Sequence, residues 1–153
     1  MKITKDYTGL TRAENGDYIL NGDLISDEDI EIDLNDRLVV TGSITAGCSI
    51  KAICGITAGC SIKAGRGIKV GCGITAGYGI KAGWGIEAKY GIIAGDGINA
   101  GTYIDCGKRI FAGTSVYADD YYCDKTIQCA ELRNGTVAYG DLIITKQEVP
   151  HED

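Results

Sequence analysis

Seven cysteines and a single histidine are the side chains of this chain that could supply nucleophilic or metal-binding chemistry. Cys48, Cys60 and Cys72 follow one another at intervals of twelve residues, and Cys54 precedes Cys72 by eighteen. Zinc sites normally draw their ligands from pairs at much shorter spacing, and an odd number of cysteines argues against a secreted disulfide framework. We therefore predict that the cysteines pack as small side chains, and we expect no metal site, no cofactor and no catalytic residue.

Aromatic and basic side chains recur in the middle of the chain at intervals that indicate a binding surface. Tyr78, Trp84 and Tyr90 are spaced six residues apart, and Arg66 precedes Trp84 by eighteen. Aromatic and arginine side chains are enriched at the hot spots of protein interfaces. The simpler alternative is that the rings only shield the neighbouring backbone. The predicted partner-binding residues are Lys63, Arg66, Lys69, Tyr78, Lys81, Trp84 and Tyr90.

A six-residue frame positions all of these side chains. Aliphatic anchors occur at every sixth position from Ile44 to Val116, and the frame continues backwards through Leu38 and Ile32. An alanine usually follows each anchor by two positions and a glycine comes next, as in Ile-Lys-Ala-Gly at 80–83. A fixed short period of this kind marks a repeat architecture, so it decides the fold before any local propensity does.

Each unit predicts a short strand followed by a corner. In an extended chain residues i and i+2 share a face, so the isoleucine and the alanine point inward and the residue between them points outward. Glycine at i+3, and glycine or serine at i+5, suit a turn in which positive φ is often needed. One unit cannot bury its isoleucine alone, but stacked coils can. The pattern therefore predicts an all-β, single-domain β-solenoid, that is, a parallel β-helix of hexapeptide repeats.

Two coil lengths are compatible with the repeat. Residues 44–55 nearly duplicate residues 56–67, which favours twelve residues per coil. Residues 56–73 match residues 74–91 at an offset of eighteen, which favours three-sided coils. We predict three-sided coils of about eighteen residues, because three sides enclose an aliphatic core more readily than two flat sheets do.

The two ends of the chain depart from the repeat. Residues 1–31 are predicted to form an N-terminal cap, residues 32–118 the solenoid, residues 119–145 a C-terminal cap and residues 146–153 a flexible tail. Within the C-terminal cap, two strand-like segments flank Asn134-Gly135, a dipeptide typical of tight hairpins. We therefore expect the segment from Thr126 to Tyr139 to form a β-hairpin that closes the solenoid or makes a dimer contact.

Charge is segregated along the chain, although the net charge is only −6. Residues 1–42 hold ten acids and four bases, residues 43–90 hold one acid and six bases, and residues 91–153 hold ten acids and five bases. The acidic flanks argue against strong general affinity for nucleic acid. The start of the chain has no apolar signal region, and no run of eighteen apolar residues occurs. We expect a cytoplasmic protein that binds a protein partner and no membrane.

The period and the aliphatic anchor resemble those of hexapeptide-repeat acyltransferases, which fold as left-handed parallel β-helices. That family usually places a small residue at i+4, whereas this chain has cysteine, tyrosine or tryptophan there, as at Cys72, Tyr78 and Trp84. The family also relies on a histidine base, and the only histidine, His151, lies in the tail outside the repeats. A general base must lie within hydrogen-bond reach of its proton, so acyltransferase activity is the least favoured function.

Two other resemblances imply functions without catalysis. The tandem Ile-Lys-Ala-Gly units look like those of small repeat proteins carried by bacteria and phages, and this resemblance implies an inhibitor of a host defence or nucleic-acid-handling enzyme, of the anti-CRISPR kind. The stacked, glycine-rich helix as a whole is similar to bactofilin-like cytoskeletal proteins, and that resemblance implies end-to-end self-assembly. We favour the first function, a non-enzymatic β-solenoid that acts through its charged and aromatic surface, and keep the second as the alternative.

Overall fold

The computed structural model of the protein describes residues 1–114 and 125–145. This part of the chain contains twenty β-strands and no helix, so it holds no helix long and apolar enough to cross a membrane. Most of the strands are three residues long and run parallel to the strand one coil earlier. The expected all-β parallel solenoid is confirmed.

The strands stack in three columns, called here faces A, B and C, because successive repeats of one coil pass to successive columns. Face A comprises β1 (Lys2–Ile3), β5 (Ile30–Ile32), β8 (Ile50–Ala52), β11 (Ile68–Val70) and β14 (Ile86–Ala88). Face B comprises β2 (Leu10–Arg12), β3 (Tyr18–Leu20), β6 (Leu38–Val40), β9 (Ile56–Ala58), β12 (Ile74–Ala76) and β15 (Ile92–Ala94). Face C comprises β4 (Leu24–Ser26), β7 (Ile44–Ala46), β10 (Ile62–Ala64), β13 (Ile80–Ala82), β16 (Ile98–Ala100), β18 (Thr126–Cys129) and β20 (Asp141–Ile144). Two longer strands, β17 (Tyr103–Ala112) and β19 (Glu131–Tyr139), run along faces A and B in turn.

The register of the regular coils settles their length. Ile62 pairs with Ile80, and Ile80 pairs with Ile98, so each coil advances the chain by eighteen residues. The prediction of eighteen rather than twelve residues is confirmed. In-register stacking places each isoleucine on the one below, at the spacing of about 4.8 Å between neighbouring strands.

Side-chain direction follows the predicted alternation. The anchor isoleucines form one continuous buried column on each face, and the alanines two positions later are buried beside them. The residue between them is partly or fully exposed, as at Lys63 between Ile62 and Ala64. Burying an isoleucine side chain contributes about 1.5–3 kcal/mol, and the column repeats that contribution coil after coil.

The regular stacking extends further towards the N-terminus than the repeat pattern indicated. Tyr18 already pairs with Leu38 in a parallel register, so coil geometry begins before residue 32. Ile30 pairs with Ile50, a step of twenty residues, because the corner after β5 is two residues longer and buries Leu34. Ile32 therefore takes the second inward position of its strand and not the anchor position that the six-residue frame assigned to it.

The N-terminal segment covers the first coil, as a solenoid end requires. β1 adds a parallel strand to β5, and β2 pairs with β3 in the antiparallel direction. Tyr7 packs against the buried core between these two strands. Residues before Tyr18 therefore cover the first coil, and coil stacking begins at Tyr18, inside the segment that was expected to form the cap.

The prediction of a C-terminal hairpin is wrong. β19 runs parallel to β17, with Ile104 opposite Leu132 and Ile110 opposite Val137, and β20 runs parallel to β18. Gly135 has φ of 112°, and this left-handed residue bends β19 around the corner between faces A and B. Asn-Gly serves a corner as well as a hairpin because both need positive φ. The segment adds a coil to the solenoid, while the predicted anchor Val116 and the tail at 146–153 lie outside the described residues.

The glycines of the repeat do not act through positive φ, contrary to expectation. None of the repeat glycines from Gly42 to Gly107 has a φ in the left-handed region. They are needed instead where coils approach closely. A Cβ placed on Gly83 would overlap the carbonyl oxygen of Gly65 one coil below, so glycine lets these two coils stack closely at this corner.

Candidate partner-binding face

The three predicted aromatic residues do not form one row. Three-sided coils carry successive repeats to successive corners, so Tyr78 lies between faces B and C, Trp84 between C and A, and Tyr90 between A and B. Their backbone hydrogen bonds confirm the assignment, because each amide donates to a carbonyl in a different corner stack: Tyr78 to Cys60, Trp84 to Arg66 and Tyr90 to Cys72. A patch containing all three rings is therefore impossible on this fold.

The three faces differ sharply in the side chains that they turn outward from their strands. Face A is ionic, face B is uncharged, and face C carries cations without acids among the described residues. On face A these side chains are Glu31, Lys51, Lys69, Glu87 and Asp105. On face B they are Ile19, Val39, Thr57, Thr75, Ile93 and Phe111. On face C they are Ile25, Thr45, Lys63, Lys81, Asn99, Gln128 and Ile143.

Five of the predicted site residues gather on face C and its two corners. Lys63 and Lys81 are direct neighbours on β10 and β13. Tyr78 and Trp84 flank β13 on either side, and Arg66 lies beside Trp84 on the same corner. We call this set, Lys63, Arg66, Tyr78, Lys81 and Trp84, the basic face.

Arg66 and Trp84, eighteen residues apart, stack on neighbouring coils. The guanidinium carbon of Arg66 lies 5.4 Å from the centre of the indole ring, a cation–π distance. The backbone brings them together, since the Trp84 amide donates to the Arg66 carbonyl at 3.1 Å. Trp84 is still 58% exposed. An exposed pair of this kind contributes about 0.5–1 kcal/mol, and it leaves most of the indole surface open to a partner.

The cations of the basic face lie close to one another, and among the described residues no acidic side chain forms a salt bridge with them. Lys63 lies directly opposite Lys81, and like charges facing each other across strands are destabilising. Within the described residues, neither lysine nor Arg66 forms a salt bridge. The arrangement concentrates positive potential in the middle of face C. Such a field attracts an acidic surface and speeds its encounter with the protein.

The other two predicted residues lie outside the basic face. Lys69 is on face A, where its Nζ lies 3.3 Å from Glu87 Oε2. Tyr90 is on the corner between faces A and B, with the ammonium nitrogen of Lys108 4.9 Å from its ring centre. Both side chains therefore have partners within the chain. Neither belongs to the surface that carries Trp84.

The repeat pattern did not predict a cluster of contacts around Tyr103. The Tyr103 hydroxyl donates a hydrogen bond to Glu87, and the Arg133 guanidinium lies 3.7 Å from the Tyr103 ring centre. The hydrogen bond from Tyr103 and the nearby Lys69 ammonium lower the pKa of Glu87. Donating that bond to the Glu87 carboxylate, together with burial, raises the pKa of Tyr103. The spacing of eighteen between Lys69 and Glu87 was the available signal. Tyr103 lies sixteen residues after Glu87, so no repeat rule pointed to it.

The described cysteines are distributed over corners and core. Cys54 and Cys72 follow each other on the corner between faces A and B, while Cys106 and Cys129 are buried. Cys106 takes the inward place above Ala88, and burial raises the pKa of its thiol. Within residues 1–114 and 125–145 no group of His, Cys, Asp and Glu is placed to hold a metal ion. In the buried positions cysteine replaces the small alanine of the repeat.

An open groove lies along face A. The groove has a volume of about 590 Å³ and runs along the corner between faces A and B. Both signs of charge line the groove: three lysines, Lys51, Lys69 and Lys89, and four acids, Glu31, Asp33, Glu87 and Asp105. Because these charges compensate one another locally, the groove presents no single sign to a ligand, unlike the basic face.

The basic face suits the binding of an acidic macromolecular surface. Its lysines, its arginine and its amphipathic rings are all exposed on a flat and rigid sheet. Similarity to other proteins adds nothing to this geometry. Comparisons of the chain with protein-family models, with curated proteins and with solved structures found no match.

Proposed function

We propose that this protein is a non-enzymatic binding module that docks onto an acidic surface of a protein partner through its basic face. The observation that carries the proposal is the cluster of cations on face C, which form no salt bridge within the described residues, with Trp84 exposed at its border. Tryptophan, tyrosine and arginine are the residues most enriched at energetic hot spots. Opposed lysines weaken the fold locally, so their place on one face is best explained by a partner that compensates them.

The rigidity of the solenoid supports binding over catalysis. Each outward side chain of face C stands on a strand that is paired on both sides, from β7 to β18, so little ordering is required when a partner docks. Among the described residues the outward strand positions of face C offer no carboxylate or imidazole that could act as a general base. The chemistry of this surface is recognition by charge and by apolar rings.

The partner class that fits best is a nucleic-acid-handling enzyme, which an inhibitor of the phage type would block. Such enzymes combine basic grooves for phosphates with acidic clusters for metal ions. The corner between faces C and A offers a complementary charge for each of these features. Asp27, Glu28 and Asp29 lie on this corner in an early coil, and Arg66 and Trp84 lie on the same corner in later coils. A partner with a positive groove beside an acidic patch would match this order.

The test is an affinity capture from the lysate of a bacterial host, with the bound proteins identified by mass spectrometry. We expect one stoichiometric partner, a nuclease or another nucleic-acid enzyme, whose activity the protein reduces. The double variant Arg66→Ala with Trp84→Ala should bind that partner at least about 30-fold more weakly, the loss typical of a hot spot. The matched control is Tyr90→Ala, which removes an exposed ring from a different corner and should bind as the wild type does.

Two results would contradict the proposal. If Arg66→Ala with Trp84→Ala captures the partner as well as the wild type does, the basic face is not the contact. If Tyr90→Ala loses binding as severely as the double variant, exposed aromatic residues matter without regard to face. Circular dichroism of each variant should match that of the wild type, because these side chains lie outside the buried column.

A further inference from the structure

Two cysteines stack on each other at the corner between faces A and B. Cys54 lies between β8 and β9, and Cys72 lies at the same place between β11 and β12, one coil later. β8 pairs in register with β11 and β9 pairs in register with β12, so the coils are held together on both sides of the two cysteines. Directly beside them, the Ile56 amide donates to the Gly73 carbonyl at 3.1 Å. This pairing places the two Cα atoms about 4.8 Å apart, the spacing of neighbouring strands.

The two other described corner cysteines have a different neighbour in the next coil. The Arg66 amide donates to the Cys48 carbonyl at 3.0 Å, and the Tyr78 amide donates to the Cys60 carbonyl at the same distance. Arg66 and Tyr78 thus occupy the positions that a second cysteine would need. All four corner cysteines are partly buried, so Cys48 and Cys60 are matched controls for the stacked pair.

An open hollow on this corner gives small reagents access to the stacked pair. The hollow has a volume of about 390 Å³, and both Cys54 and Cys72 line it. The Cys54 thiol donates a hydrogen bond to the Asn35 carbonyl, with its Sγ 2.9 Å from the oxygen. Burial, and after it the neighbouring Cys72 thiol, raises the pKa of Cys54. Cys54 is therefore held as a protonated thiol at neutral pH.

We propose that Cys54 and Cys72 are a modification site, at which a peroxide oxidises the two thiols to a disulfide that joins neighbouring coils. Disulfides span Cα separations of about 4.4–6.8 Å, and this pair falls within that range near its lower end. Rotation of both side chains about χ1 brings the sulfur atoms together, and Cys54 gives up its hydrogen bond to Asn35. The bond is reversible, because strained or exposed disulfides are the ones most readily reduced.

The reaction balances with one peroxide and no other reagent. A thiolate is the attacking species, and because Cys54 keeps its proton, the Cys72 thiolate attacks one oxygen of hydrogen peroxide. The O–O bond breaks, Cys72 becomes a sulfenic acid, and the departing hydroxide takes up the thiol proton of Cys72 to form water. The Cys54 sulfur then attacks the sulfur of the sulfenic acid, which condenses with a thiol to a disulfide. The hydroxyl leaves with the Cys54 proton as a second water.

The disulfide acts on the stability of neighbouring coils. Coils of a solenoid contact only their neighbours and open locally, so a covalent link between two of them opposes opening at this corner. The link also constrains the unfolded chain. This modification does not depend on the proposed function, because the corner between faces A and B lies opposite face C and the basic face is left in place.

The test treats the fully reduced full-length chain with a small excess of hydrogen peroxide, blocks the remaining thiols by alkylation and identifies the products by mass spectrometry. Trypsin should release residues 52–63 joined to residues 70–81, since Cys54 lies in the first peptide and Cys72 in the second. Dithiothreitol should separate the two peptides again. The first peptide also contains Cys60, so variants are needed to assign the linked sulfur atom.

Three serine variants assign the two sulfur atoms and the order of attack. Cys60→Ser should give the linked peptides in the same yield as the wild type. Cys54→Ser should lose them and accumulate a sulfenic acid at Cys72, which dimedone traps. Cys72→Ser should lose them too, with little dimedone adduct at Cys54. Circular dichroism of each variant should match that of the wild type, because serine differs from cysteine by one atom.

The wild-type digest does not depend on the folding of any variant. A wild type whose thiols are oxidised singly, without linked peptides, overturns the proposal. So does a link that persists in Cys54→Ser or disappears in Cys60→Ser. A link between the two peptides that forms equally well in urea also overturns it, because the fold then has no part in bringing the two cysteines together.

Discussion

The stacking of glycine corners leads to a prediction that separates close approach from backbone conformation. Gly83 and Gly79 belong to the same repeat region, and neither has positive φ. A Cβ on Gly83 would overlap the carbonyl oxygen of Gly65, whereas a Cβ on Gly79 would lie 3.4 Å from its nearest neighbour, the carbonyl oxygen of Gly97. Alanine should therefore be tolerated at Gly79 and resisted at Gly83.

The expected size of the effect follows from the contacts at the corner. To admit a methyl group at Gly83, the two coils must move apart, which strains the bonds from Gly83 to Ala64 and from Trp84 to Arg66, both 3.1 Å. Overpacking typically costs about 1–3 kcal/mol, and each weakened hydrogen bond adds up to about 1 kcal/mol. Gly→Ala also stabilises by about 0.4–1 kcal/mol through the unfolded chain. We expect Gly83→Ala to destabilise by about 2–4 kcal/mol and Gly79→Ala to stabilise slightly.

Lys89 shows what the chain does when a side chain occupies this corner position. Its amide lies 3.3 Å from the carbonyl of Val70, longer than the 2.8 to 3.1 Å found where a glycine takes the same place, as at Gly47 and Gly83. Neighbouring coils therefore move slightly apart at this corner when a side chain is present. The loss of stability expected for Gly83→Ala is limited for the same reason.

Urea unfolding followed by circular dichroism measures both alanine variants against the wild type. A loss of stability at Gly79→Ala equal to that at Gly83→Ala would refute the reasoning, because the sites are compared for the space that the added Cβ would enter. An unchanged Gly83→Ala would refute it as well. Local opening of single coils is expected in a solenoid. Hydrogen exchange of the amides near residue 83 should therefore also be faster in Gly83→Ala than in Gly79→Ala.

Three further predictions concern the core, an ion pair and the exposed face. Ile80→Asp should abolish the β circular dichroism spectrum, since an unpaired buried charge costs several kcal/mol, while Ile80→Ala should lose about 2–5 kcal/mol. The Glu87 pKa is lowered in the folded state, so its contribution is present at neutral pH and lost as pH falls below its ordinary value. Glu87→Gln should therefore unfold more readily than the wild type at pH 7, with the gap in melting temperature closing in acid. Lys81→Ala should not destabilise the fold, because it relieves the repulsion from Lys63, and a lower melting temperature would contradict this assignment.

The sequence predicted most of the architecture because the repeat is local. Alternation of side chains is a property of a single strand, so the isoleucine, lysine and alanine of each unit could be assigned inward and outward positions without knowledge of the neighbours. The duplication at an offset of eighteen then indicated the coil length, and with it the contact between Arg66 and Trp84. Where the pattern weakened, as before Leu38 and after Phe111, the assignments became less accurate.

The C-terminal coil shows why local signals misled. Asn134-Gly135 supplies positive φ, which a hairpin and a solenoid corner need equally. What decided between them was the column already built by residues further back, on which Leu132 and Val137 could pack. A template formed by the preceding coil is a tertiary feature, and a dipeptide carries no information about it.

The amino-acid sequence by itself determined the stacked β-solenoid and the direction of each repeat side chain, because these follow from a period and from the geometry of one strand. It favoured eighteen residues per coil but left twelve open, and the register between coils settled the length. Only the tertiary structure decided which side chains are neighbours. Closure of the chain into three sides sent Tyr78, Trp84 and Tyr90 to three corners and brought Lys63 and Lys81 together on one face. Adjacency across coils depends on how far the chain travels before it returns, and that distance is set by the packing of the whole core.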